Sequence, residues 1–129
     1  MLRPLRDETG SAVAEFVMVG VLLTVATLAV LQLALALLVR NTVLDAASEG
    51  ARHAAMVGNS PEEGAARTAE LIRTAVGASY ADDVRAGFGD YLGAPAIVIT
   101  VRAPLPVLGL IGPTGGIEVS GHAPIETLD

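Results

Sequence analysis

Between Phe16 and Val39 the chain runs for 24 residues without a charged side chain. As a helix rising 1.5 Å per residue the run would measure about 36 Å, against about 30 Å for the hydrocarbon core of a bilayer. Fifteen of its residues are Leu, Val or Phe. Each favours insertion by roughly 0.3–0.6 kcal/mol, and together they outweigh Thr24, Thr27 and Gln32. A soluble protein could hide such a helix only in a large core, and a chain of 129 residues has too little left to surround it. A cleaved secretory signal fits poorly as well, because its apolar region is typically ~7–15 residues. The run predicts a single membrane span. Composition agrees: 17% of the chain is charged, where a soluble domain carries about 25%.

Charge excludes one class of partner and leaves topology open. A net charge of -6 argues against a nucleic-acid groove, which needs a cationic face. Arg3 and Arg6 precede the span while Arg40 and Arg52 follow it, so the basic residues that usually mark the inner side are balanced. There is no cysteine, hence no disulfide framework and no thiolate site.

Past the span nothing stops the helix until "GNSP" at 58–61. Glu49 precedes Arg52 by three residues and His53 by four, which supports an exposed helical face. The predicted first helix is therefore about 40 residues long, half in lipid and half outside. Ala46, Gly50 and Ala54 form one row along it, and Ala47, Ala51 and Ala55 a second. Small residues at this spacing let backbones approach closely. The rows fit either a helix-packing face, against the chain's own head or a neighbouring subunit, or an alanine-rich helix of high intrinsic propensity.

Ser60, Pro61 and Glu63 spell a capping box with proline at the first helical position. They predict a second helix over 61–76, with Ala65, Ala69, Ile72 and Val76 as its apolar stripe and Gly77 as its stop. A short strand around Val84–Phe88 is consistent with the next segment. "AIVITVRA" (96–103) and "GIEVSGHA" (116–123) alternate apolar and polar residues and read as half-buried strands. The linker between them is rich in Pro and Gly yet apolar. Leu105, Val107, Leu108, Leu110 and Ile111 there point to a partner or a lipid surface, or else fold back as core. The predicted class is α+β: a long transmembrane helix continuing outside the membrane, a second short helix and a small antiparallel sheet.

No catalytic constellation stands out. His53 and His122 lack an acidic cluster, and the serines lack a nucleophile-elbow context. "GPTGG" has glycines but neither the lysine nor the following helix of a phosphate loop, so it reads as a turn. Asp82 and Asp83 read as loop solvation. No catalysis, cofactor or metal is expected.

One residue remains to be explained: Glu15, a carboxylate on the threshold of hydrocarbon, where it costs free energy unless compensated. It could simply open a helix near that helix's positive end. Gly10, four intervening residues, Glu15 and then a hydrophobic helix together resemble the processing site of type IV prepilins. Within that superfamily, "GSAVAEFVMVGVLL" followed by "DAASEGARHAA" resembles the TadE-like minor pseudopilins of tight-adherence (Flp, type IVb) pilus systems, over roughly residues 6–57. The resemblance implies a leader at 1–10, cut between Gly10 and Ser11 by a prepilin peptidase. It further implies a transmembrane and extended helix at 11–57, and a small extracytoplasmic head at 58–129. By the same resemblance Glu15 is an assembly contact for a neighbouring subunit's new amino terminus. Such a pairing would offset the desolvation either charge suffers alone. Ser11 departs from the first-position Phe of many type IVa pilins, which bears on methylation of the terminus and not on cleavage. The implied role is assembly or initiation of a pilus or related secretion filament, from the cytoplasmic membrane or within the pilus. The implied partners are the peptidase, other pilin or pseudopilin subunits, the inner-membrane assembly platform and the lipid bilayer. The alternative is a single-pass membrane-anchored adaptor or binding protein of the cell envelope.

Overall fold

A computed structural model describes residues 3–107, 110–112 and 116–126, with side chains described for 9–107, 112 and 116–126. One helix organises everything else. Helix α1 spans Arg3–Ala55, 53 residues, or about 80 Å at 1.5 Å per residue. That is longer than the roughly 40 residues expected, because the helix extends backwards through the polar stretch before the span. Pro4 falls in the first turn, where a missing N–H breaks no intrahelical bond. At the other end Gly58 adopts a positive φ of 88°, and the Asn59 side chain donates to the His53 carbonyl at 2.6 Å.

Helix α2, Pro61–Ala75, starts as its sequence prescribes. The Glu63 N–H donates to Ser60 Oγ and the Ser60 N–H donates back to the Glu63 carboxylate, both at 3.3 Å. It closes when the Val76 and Gly77 N–H groups donate to the Ile72 carbonyl at 2.9 and 3.1 Å. Gly77 has a φ of 118°, which glycine accepts without steric cost. The buried face differs from the expected stripe: Pro61, Gly64 and Thr68 join Ala69 and Ile72, whereas Ala65 and Val76 are only half-buried. A 3-10 turn at Ala78–Tyr80 then tucks Tyr80 into the core.

Among the described residues five strands follow: β1 (Asp83–Tyr91), β2 (Ala94–Ala103), β3 (Pro106–Val107), β4 (Leu110–Ile111) and β5 (Ile117–Pro124). The main sheet is antiparallel in the order β1-β2-β5, with β3 and β4 forming a separate short hairpin. Strand β1 is longer than the Val84–Phe88 segment expected, and it ends in a two-residue turn. Leu92 and Gly93 both have positive φ, 53° and 82°, as a type I′ hairpin requires.

The register places Ile97 beside Ala123, Ile99 beside Gly121 and Val101 beside Val119. These inward residues cover the outer half of α1 from Val39 onward, and α2 packs on the same half. Val43, Ile72, Ile97, Ile99 and Val101 are fully buried, each worth about 1.5–3 kcal/mol. The opposite face is polar, with an Arg102–Glu118 ion pair at 3.0 Å and a Thr100–Ser120 hydroxyl pair at 3.2 Å. The main-chain N–H of Glu126 donates to the Ala55 carbonyl at 3.0 Å, tying the end of β5 to the far end of α1.

Candidate functional site

The molecule divides along α1 into a bare lower stem and a clamped upper half. Every residue from Thr9 to Leu31 is exposed, including Phe16 at 81% and Met18 at 70%. The most apolar 18-residue window of the helix has a mean hydropathy of 2.5, and none of it is buried within the protein. Nothing among the described residues covers this surface, and a span in hydrocarbon needs no cover. Two polar groups within it are satisfied locally: the Thr24 and Thr27 hydroxyls donate to the Gly20 and Leu23 carbonyls, each at 2.8 Å. Back-bonding of this kind removes the penalty of a hydroxyl in lipid.

The upper limit of the bare stem lies lower than the apolar run alone indicates. The run ends at Val39, but Val39 is already buried by the head. Further down, the Gln32 side-chain amide donates to the Pro106 carbonyl of β3. Gln32 thus marks where the head begins to touch the helix.

Gly10, Ser11 and Glu15 all lie on the bare stem, inside α1 and exposed. A side chain at Gly10 would meet nothing within 4 Å, so no packing within the chain demands glycine there. The bond between Gly10 and Ser11 is helical, and glycine holds a helix less well than any residue but proline, by about 1 kcal/mol relative to alanine.

The small-residue rows occupy the clamped half. Ala46, Ala47, Gly50, Ala51, Ala54 and Ala55 are all buried, against the chain's own head. Gly50 faces Gly64 of α2: a Cβ on either glycine would stand 2.6 Å from the other's carbonyl oxygen. A Cβ at Gly50 would also overlap the Thr68 hydroxyl. That hydroxyl is buried and lies 2.9 Å from the Gly64 carbonyl and 3.3 Å from the Ala46 carbonyl. Gly121 of β5 crosses the other row, where a Cβ would come within 2.5–2.6 Å of the Ala47 and Ser48 backbone. Two glycine crossings therefore bring α2 and β5 into backbone contact with α1. Sequence reasoning found the α1 side of both and missed Gly64, Thr68 and Gly121. The available signals were the four-residue spacing of Gly64 and Thr68, and a glycine in the inward parity of an alternating strand.

The remaining candidates are dispersed. His53 is half-buried near the end of α1, while His122 lies on the outer sheet face, stacked on Tyr91 with ring centroids 5.2 Å apart. Glu49 and Arg52 pair across one helical turn at 3.5 Å, both largely exposed, a contact of little energetic weight. Among the described residues no cluster of three or more His, Asp or Glu side chains could hold a metal. Asp82 is exposed, and Asp83 opens β1, where it pairs with Arg85 at 3.0 Å. The side chains of Leu108, Leu110 and Ile111, and most of the "GPTGG" turn, lie outside the described residues.

Comparison with known protein families gives a match. The family profile of TadE-like proteins matches residues 10–52, which covers Gly10, Glu15, the bare stem and most of the clamped half. No curated protein and no solved structure matches the chain. A long apolar helix of this kind fits a single-pass membrane anchor. Over residues 10–52, about a third of the chain, the sequence is therefore similar to TadE-like proteins.

Proposed function

We propose that the chain is a leader-processed minor pilin-like subunit that helps to assemble or initiate a Tad-type filament. A prepilin peptidase cuts between Gly10 and Ser11, the stem holds the subunit in the cytoplasmic membrane, and the head lies on the outer side. Glu15 then meets the new amino terminus of a neighbouring pilin or pseudopilin, guided by the inner-membrane platform. The observation that carries this reading is the bare stem. Twenty-three successive exposed residues, 9–31, give about 35 Å of helix, with Gly10 and Glu15 at its lower end. Such a stem can pass from lipid into the core of a helical filament with no rearrangement of the head. Glu15 lies five residues past Gly10, a little over one helical turn beyond the cut, within reach of an ammonium group at an adjacent subunit's end.

Intact-mass measurement of the protein from cells with and without a prepilin peptidase tests the reading. The expected mature chain begins at Ser11 and depends on the peptidase. An uncut chain in peptidase-positive cells overturns the processing step.

A further inference from the structure

We propose that the short hairpin β3–β4 is a second membrane element, seated among lipid acyl chains beside α1 on the head's side of the bilayer. The depth of the contact is the first argument. Gln32, which donates to the Pro106 carbonyl, is 17 residues above Glu15, or about 26 Å along the axis. A hydrocarbon core of about 30 Å that starts at Glu15 therefore still surrounds Gln32, and β3 with it. The flanking helix surface is apolar and open: Leu31, Leu33, Leu37 and Leu38 are 48–61% exposed.

The chemistry of the segment is the second argument. From Ala103 to Ile117 the sequence contains no charged residue, and charge returns at both necks with the Arg102–Glu118 pair. Irregular backbone is tolerated in hydrocarbon only when its polar groups are satisfied. Here Pro104 and Pro106 have no N–H to satisfy, and the Leu105 carbonyl accepts from the Gly112 N–H at 2.6 Å. The Pro106 carbonyl takes the Gln32 amide, and Val107 pairs with Leu110. Among the described side chains of the segment, Val107, 37% exposed, is offered outward. In water this surface would be an apolar patch; at this depth it is continuous with the span.

This inference rests on α1 crossing the bilayer, and the test separates the two. The chain has no tryptophan, so single-tryptophan variants of the full-length protein report cleanly. Val107→Trp, Leu22→Trp and Phe88→Trp are placed in vesicles of phosphatidylcholine and phosphatidylglycerol with acyl chains brominated at shallow or deep carbons. Val107→Trp should emit to the blue and lose most of its intensity with shallow bromines. Leu22→Trp should be quenched by deep bromines, and Phe88→Trp, exposed near the end of β1 that lies away from β3, by neither. Quenching of Leu22→Trp without Val107→Trp overturns the hairpin assignment alone. An unquenched Leu22→Trp removes the span and the hairpin together. Blue emission from Val107→Trp that ignores the bromines and follows the protein-to-lipid ratio identifies a second copy as the cover, and overturns the lipid assignment. Should tryptophan disturb the hairpin, a spin-labelled Val107→Cys reads the same contact: relaxation by oxygen must exceed relaxation by an aqueous nickel chelate, and the reverse order refutes it.

Discussion

Replacing Gly50 with alanine pits two effects of opposite sign against each other. In an exposed helix the change stabilises by about 1 kcal/mol, because alanine loses less backbone entropy. At Gly50 the new methyl stands 2.6 Å from the Gly64 carbonyl oxygen and overlaps the Thr68 hydroxyl. A rotamer change could move the hydroxyl but not the carbonyl, so α2 itself must retreat. Overpacking of this kind costs about 1–3 kcal/mol, and displacing the buried Thr68 hydroxyl from its carbonyl partners adds roughly 1–3 kcal/mol. The net expectation is a loss of roughly 1–5 kcal/mol after the helical gain is subtracted. For a cooperative unit of this size that lowers the melting temperature by at least about 4 °C. Tyrosine fluorescence of the full chain in detergent is a suitable readout, since Tyr80 is buried in the head and no tryptophan obscures it. Gly20→Ala is the matched control: a Cβ there meets nothing within 4 Å, so the head should melt as in the wild type. A Gly50→Ala protein that melts at or above the wild-type temperature would refute the close crossing.

Other outcomes follow from the same geometry. Ser60→Ala removes the α2 cap and should cost about 1 kcal/mol, seen as a lower denaturant midpoint with an unchanged slope. Glu15→Ala should leave membrane insertion and leader removal intact, because the stem only becomes more apolar, while pilus counts fall; wild-type piliation contradicts the assembly role of the carboxylate. A periplasm-dependent reporter fused after Asp129 should be active, and a stable but inactive fusion places the head on the inner side.

What could be read from the sequence was local. The capping box of Ser60, Pro61 and Glu63 involves residues three apart, and β5 alternates buried and exposed residues without interruption. The span needed only hydropathy. Strand β1 was harder, because Gly87 and Gly89 weaken its own strand preference and pairing with β2 supplies what propensity lacks. The Gly50–Gly64 and Gly121–Ala47 crossings join segments remote in sequence, so each glycine shows its reason only when its partner is in place. The same holds for Gln32. In the sequence it is a polar blemish in an apolar run; its explanation lies 74 residues away at Pro106. Gly10 and Glu15 were legible only as a resemblance, since an exposed glycine and an exposed carboxylate make no fold-stabilising contact that would single them out.

Because α1 is at once the stem and the central strut of the head, any tension applied at its lower end reaches the head without crossing a hinge. Helix α2 and strand β5 lie alongside that strut and touch it at several levels, from Ala46 to Ala55. Pulling the helix lengthwise therefore loads all of these contacts together, in shear, rather than opening them one after another from an edge. The glycine crossings matter most under such a load. At Gly50 and Gly121 the neighbouring backbones interlock, so axial slippage must first drive a carbonyl over a main chain. A subunit drawn out of a bilayer would transmit the drawing force to its head while keeping that head folded.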